Sequence, residues 1–221
     1  MPRQKRFLPP NNVFHIMCRG NNGHQVFDSS KDYSKYLDLV NKYKIEHPFD
    51  LFHYCLMSNH VHLLVMIKEG KEFSNFMKKL NLAYFSYYKY NYGWDGHFWQ
   101  DRFKSKLISK DIYLIQCGKY IEMNPVRAKI TEKPEDYSWS SYSYYAKGLK
   151  NNLITRDLIY DSLGVTEGLR QIAYQNMVME EIFFFDNQHI AQGDKKTRYN
   201  ANRRYSYHLN NKNVPYRKRG D

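Results

Sequence analysis

The sequence predicts an α+β fold in β-α-β-β-α-β order, and three features predict it. Short β-like runs at Val13–Cys18, Leu51–Met57, His60–Ile67 and Phe103–Ser109 are bounded by turn residues. Two long stretches between them repeat apolar residues at helical spacing. Only Ser58-Asn59 separates the two middle runs, so they form a tight hairpin.

Taken in order, the first strand follows Pro9-Pro10 and runs into Arg19-Gly20-Asn21-Asn22-Gly23, a strong turn signal. Asp28-Ser29-Ser30 supplies N-caps for a helix whose apolar stripe is Tyr33, Tyr36, Leu37, Val40 and Tyr43. His47-Pro48 stops that helix, because the residue before a proline is pushed out of the helical region. After the hairpin and Gly70, Phe73, Phe76, Met77, Leu80, Ala83, Tyr84, Tyr87 and Tyr88 mark a second helix, ended by a turn at Gly93–Gly96. A third helix, about Lys110–Met123, follows the fourth strand and ends at Asn124-Pro125. The first six elements give a ferredoxin-like, RRM-like sheet with helices on one face and the other face open. The third helix lies at that open face, and a C-terminal helical extension follows. No internal repeat is present.

Composition bounds the function. The chain has 221 residues, 42% hydrophobic and 25% charged, ordinary globular usage. A mean hydropathy of −0.76 and the lack of an 18-residue apolar run exclude a membrane-spanning helix. The basic start has no apolar core of a signal peptide. Cys18, Cys55 and Cys117 form neither a CxxC pair nor a disulfide framework, so a reducing, cytoplasmic setting and small core side chains are expected.

The formal charge of +12 is uneven. Residues 1–12 carry Arg3, Lys5 and Arg6 with no acid, and 193–221 carry nine basic residues against Asp194 and Asp221. The body between is close to balanced, so the ends read as arms for a polyanion or as plain solvated tails. The expected division is a basic arm at 1–12, a main domain at 13–150, a helical extension at 151–192 and a basic, flexible tail at 193–221. Gly164 and Gly168 are the expected break within the extension.

Chemistry concentrates at Ser58-Asn59-His60-Val61-His62-Leu63-Leu64-Val65. On a strand, residues i and i+2 share a face, so both imidazoles project together while Val61, Leu63 and Val65 pack opposite. Two neutral imidazoles make half of a divalent-metal site, or simply two hydrogen-bonding groups on a sheet. A third donor must come from an element over the same face. Tyr120 and Asn124, spaced i, i+4, share one side of the third helix. Asn124 offers a carbonyl oxygen and Tyr120 a phenol, a nucleophile only when its target is activated. The structural alternative is a packed tyrosine and an asparagine capping the helix end. Tyr113, seven residues before Tyr120, has no Asn or Gln four residues on and reads as packing. His15, His24, His53 and His97 lack a partner at ligand spacing and read as structural or surface groups.

Four ordered segments then carry a family resemblance: Phe52 to Leu64, Phe98-Trp99-Gln100-Asp101-Arg102-Phe103, Tyr120-Ile121-Glu122-Met123-Asn124-Pro125-Val126-Arg127-Ala128, and Asp136-Tyr137-Ser138-Trp139-Ser140-Ser141-Tyr142. From about Phe14 to Tyr145 the chain resembles the single-tyrosine HUH (IS200-like) transposases, in their REP-associated branch. The resemblance implies that His60 and His62 bind a divalent metal, Mg²⁺ or Mn²⁺, with Asn124 as third ligand. It implies that Tyr120 attacks a phosphodiester of single-stranded DNA, leaving a 5′-phosphotyrosyl enzyme and a free 3′-OH. Hairpin or palindromic DNA near the cut is the partner it implies, and the basic 193–221 tail is expected to clamp a stem's phosphates.

DNA contacts are expected at Arg19, Arg102, Lys104 and Arg127, which flank the motif segments. Segment 68–110 adds nine Lys/Arg against four acids, interleaved with aromatics such as Tyr84, Tyr90, Phe98 and Trp99. Cations with aromatic faces suit single strands, although a tyrosine-rich core explains most of these rings. Two other functions compete with the strand transferase. A non-catalytic nucleic-acid module on the same sheet would stack bases on strand aromatics, yet His60–Ile67 has none. A metal-dependent phosphodiesterase would use water in place of Tyr120. Whether a monomer or a homodimer completes the site is left open by the sequence.

Overall fold

Alternation along Asn12–Arg19 (β1) sets two faces of a sheet: Phe14, Ile16 and Cys18 are buried on one, while Val13, His15, Met17 and Arg19 take the other. The computed structural model describes residues 6–108 and 111–179, with the side chains of 111–113 and 158 excluded. β1 is joined by Asp50–Met57 (β2), His60–Ile67 (β3) and Lys104–Ile108 (β4) in the order β2-β3-β1-β4, every neighbouring pair antiparallel. This is the predicted split-βαβ sheet.

Ser30–Glu46 (α1) and Gly70–Tyr92 (α2) cover the Phe14 face and bury Tyr36, Val40, Phe76, Leu80 and Tyr84 against Val61, Leu63 and Val65. Ser29 is the N-cap of α1. The buried Asp32 carboxylate accepts the backbone N–H of Asp28 at 2.9 Å and of Ser29 at 2.8 Å, and the Tyr87 and Tyr92 hydroxyls at 2.9 Å. That carboxylate completes a capping box with the N–H of the N-cap Ser29 and ties the first turn of α1 to α2. α2 ends on Gly93, whose φ of 65° is the left-handed conformation glycine takes at a helix end.

The interleaved aromatics of 68–110 are mostly core. Tyr84 donates to the Val26 carbonyl at 2.5 Å, Tyr88 to Asp28, and the Trp99 indole to the Asn81 carbonyl at 3.1 Å. Phe98 is buried, and Tyr90, at 90% exposed, stands out to solvent.

The second face of the sheet is covered by Asp111–Glu122 (α3), whose Leu114, Cys117 and Ile121 pack on Phe52, Cys55, Met57 and Leu64. Asn124-Pro125 ends α3 as expected, but it also opens a one-turn helix, Asn124–Arg127 (α4). Proline suits a first helical turn, where its missing N–H has no intrahelical partner to lose.

Beyond α4, residues 137–141 run along the outer edge of β2. Leu56 N–H donates to Trp139 O at 2.9 Å and Ser141 N–H to Tyr54 O at 3.0 Å, closing an otherwise open strand edge. Among the described residues, three helices follow: Tyr142–Lys147 (α5), Leu158–Asp161 (α6) and Glu167–Met179 (α7). Gly164 sits at the break between the last two, whereas Gly168 lies inside the first turn of α7.

All three cysteines are buried, and burial pushes the Cys18 and Cys117 thiols up to about 12. At the N-terminal end, Arg6 donates to the Phe103 carbonyl at 2.7 Å and stacks on its ring. The rest of the basic arm through residue 5, the end of the extension (180–192) and the tail at 193–221 lie outside the described residues. Among the described residues, no helix is long and apolar enough to cross a membrane.

Candidate active site

α3 turns three flanks to three tasks. Its Leu114, Cys117 and Ile121 face the sheet. At about 100° per residue, Tyr120 then lies on one side of that strip, and Gly118 and Glu122 lie on the other. Tyr120 is half-buried, and its ring centroid is 6.3 Å from that of His62 and 6.1 Å from that of His15 in the same chain. Within one chain, the expected tyrosine therefore lies beside His62 of the expected pair. Arg127, from α4, holds its guanidinium carbon 4.7 Å from the Tyr120 ring centroid, a cation–π contact.

The two expected histidines project from the same face of β3, ring centroids 4.8 Å apart and nearly perpendicular. The His60 Nδ1–H donates to Asn59 Oδ1 at 2.5 Å, and Asn59 is held in turn by its amide donating to Gly23 O at 3.2 Å. His62 Nδ1 lies 2.8 Å from His15 Nε2, the two rings stacked. Burial, then the charge of Lys106, pushes His15 down to about 4, so it stays neutral at neutral pH.

His15 is a correction, because the sequence offered it no partner. β1 pairs with β3 so that Met17 faces His62 and His15 faces Leu64, which sets His15 diagonal to His62 on one face. The signal was present in the alternation of Val13, His15 and Met17 with Phe14, Ile16 and Cys18. It acquires meaning only once the pairing is known.

Asn124 is where the sequence placed it, one turn after Tyr120. Its amide nitrogen donates to the Tyr120 carbonyl at 3.0 Å and the Ile121 carbonyl at 3.1 Å. The residue thus caps the end of α3, as in the structural alternative. Among the described residues, no three His, Cys, Asp or Glu side chains converge as a complete metal cage.

Of the expected DNA contacts, Arg127 joins Tyr120, and Arg19 pairs across the sheet with His60. Lys104 is exposed on the edge strand, on the histidine face, and Arg102 is exposed in the preceding loop. Lys106, which the sequence reading did not single out, is exposed two residues beyond Lys104 and faces His15 across the strand pair. Alternation from Lys104 would have found it. His97 is exposed and His24 stacks on Trp94, while the Tyr113 side chain lies outside the described residues.

His53 is no surface group. Its ring is buried against α3, with Nδ1 at 2.9 Å from Glu122 Oε1 and Nε2 at 3.8 Å from Asp157 Oδ2, the latter an ionic contact longer than a hydrogen bond. Burial opposes its charge, but the two carboxylates outweigh burial and raise it to about 9. A Cβ added at Gly118 would sit 2.7–2.9 Å from three atoms of this ring. Gly118→Ala is therefore expected to destabilise the chain by about 1–3 kcal/mol through overpacking, although alanine is the better helix former. A lower urea-unfolding midpoint checks it.

A solved REP-associated tyrosine transposase bound to a REP hairpin is similar over 72% of this chain and 93% of that one, at 20% identity and a TM-score of 0.56. A putative transposase from Deinococcus radiodurans R1 is similar at 19% identity over 55% of this chain and 96% of that one, with a TM-score of 0.38. No curated protein matches. The first likeness is one of fold. The family described as "Transposase IS200 like" matches residues 10–124, just over half of the 221, a span that holds the whole sheet, the histidine pair, Tyr120 and Asn124. The chain belongs to the IS200-like transposase family.

Proposed function

We propose that the chain is a metal-dependent, single-stranded DNA endonuclease and strand transferase that cuts beside hairpin DNA and carries the cut end on Tyr120. The observation that carries this reading is the meeting, within one chain, of the Tyr120 ring, the His60–His62 pair and the Arg127 guanidinium. Tyr120 Oη forms a bond to phosphorus and the P–O3′ bond breaks. The phenolic proton leaves as O3′ takes one up, giving a 5′-phosphotyrosyl enzyme and a free 3′-OH. Attack by another 3′-OH reverses the step and joins strands. Arg127, already against the tyrosine ring, is in reach to pair its N–H fork with phosphate oxygens as charge develops. Lys104, Lys106, Arg19 and Arg102 supply cations along the strand. The similar REP-associated transposase was solved with a REP hairpin, and a hairpin is the DNA form proposed here.

His60, His62 and the Asn124 oxygen suit a divalent cation. His60 donates from Nδ1 to an oxygen that can only accept, so its lone pair is on Nε2. The same tautomer follows for His62 when its Nδ1–H donates to the neutral His15. Imidazoles that bind metals are oriented by such second hydrogen bonds. A bound Mg²⁺ or Mn²⁺ would polarise a phosphate oxygen, and two nitrogen donors suit Mn²⁺ at least as well as Mg²⁺.

Incubation with labelled single-stranded hairpin DNA from around its own gene, with Mn²⁺ or Mg²⁺, tests the reading on a denaturing gel. A slow protein–DNA adduct, absent with EDTA and in Tyr120→Phe, is expected. Cleavage that persists in Tyr120→Phe without an adduct means that water is the nucleophile. Binding without cleavage across several hairpins leaves a DNA-binding module.

A further inference from the structure

The buried Glu122 carboxylate gathers donors from three parts of the chain. It accepts His53 Nδ1–H of β2 at 2.9 Å, the Ser141 hydroxyl at the start of α5 at 2.5 Å, and the Tyr174 hydroxyl of α7 at 2.6 Å. Both Glu122 and Tyr174 are almost fully buried, as is His53, whose ring stacks on Tyr145 with centroids 4.5 Å apart. Asp157, which caps α6 by accepting Ile159 N–H at 2.9 Å, faces the far nitrogen of His53. Ser141, Tyr145, Asp157 and Tyr174 all lie beyond residue 124, where the family match ends.

From this arrangement we infer that Glu122 is a positioning residue through which the C-terminal helices set the rotation of α3 and so the aim of Tyr120. The inference rests on the reading of Tyr120 as nucleophile. Gly118 and Glu122 are one turn apart on the flank of α3 opposite Tyr120. His53 fills the space over Gly118 while the three donors hold Glu122. Two fixed points one turn apart stop the helix from rolling on its apolar strip.

Rolling matters because a tyrosine hydroxyl stands roughly 9 Å from a helix axis, so about 7° of rotation moves it about 1 Å. A misplacement of about 1 Å at the reacting atom lowers rates on the order of a hundredfold. The contact is therefore more than packing. An apolar strip alone fixes the height of α3 over the sheet, whereas Glu122 fixes its angle.

The test compares the full-length chain with Glu122→Gln and Tyr174→Phe. Single-turnover adduct formation at saturating hairpin DNA is expected to fall about 10- to 100-fold in Glu122→Gln and less in Tyr174→Phe, with DNA affinity within about twofold of the parent. Hydrogen exchange is expected to speed up in 114–122 while β1 and β3 stay protected. Adduct formation at the parental rate in both variants overturns the inference. So does faster exchange spread evenly over the chain, which would mark a general loss of stability. If the parent forms no adduct, the nucleophile reading fails, and the exchange pattern alone decides whether Glu122 holds α3.

Discussion

His62→Ala is expected to lower adduct formation by roughly a thousandfold, with the sheet intact. The imidazole is held in place and lies beside the proposed nucleophile. Its Nδ1 meets His15, which fixes the ring, and its ring centroid is 6.3 Å from that of Tyr120. A metal's stabilisation of developing charge is worth several kcal/mol, and each 1.36 kcal/mol is tenfold in rate. If His60 and His62 hold a cation as proposed, losing one of the two nitrogen donors would remove most of it.

The fold survives because the backbone ladder of β3, paired on both sides with β1 and β2, does not involve the ring. Mn²⁺ binding followed by electron paramagnetic resonance should weaken in parallel with the rate. An unchanged rate, or a lost rate with Mn²⁺ binding intact, would separate His62 from the metal.

Stability is expected to fall between pH 6.5 and about 9, on the order of 3 kcal/mol, through His53. The cause is the pair of carboxylates on either side of a buried imidazolium. Glu122 reaches it from α3 and Asp157 from the start of α6, while Tyr145 and Tyr174 lie beside the ring. Burial raises both phenols, so they stay neutral across this window.

The folded state holds the His53 proton up to about 9, whereas an unfolded imidazole releases it near 6.5. Stability from this group is therefore complete below 6.5. It declines as pH rises, because the folded chain then binds more protons than the unfolded one. Urea midpoints at pH 6 and pH 9.5 measure the difference, and His53→Gln should flatten it. A slope unchanged in His53→Gln would assign the titration to another group.

The elements that sequence reading located are those with a local signature. Alternation found β1 and β3, the His60–His62 spacing followed from the strand period, and Tyr120 and Asn124 shared a helix side by the i, i+4 rule. What stayed hidden depends on contacts between distant residues. His15 gains its role only through the β1–β3 register, and His53 only because Glu122 arrives 69 positions later. Pro125 read as a stop because its effect on the preceding residue is local, while its fitness for the next helix is equally local and points the other way. Tyr84, Tyr87 and Trp99 suit both a core and a base-stacking surface. Their hydroxyl and indole partners within the fold decide for the core, whereas Tyr90 stays exposed.

The most direct measurement is the identity of the atom that holds the DNA. The adduct formed on hairpin DNA would be nuclease-trimmed, digested with trypsin and read by mass spectrometry. Cleavage after Lys119 and Arg127 isolates residues 120–127. The expected result is a nucleotide linked through its 5′-phosphate to Tyr120, with a free 3′-OH on the released strand. A nucleotide on any other residue, or a released 5′-phosphate with unmodified Tyr120, would contradict it.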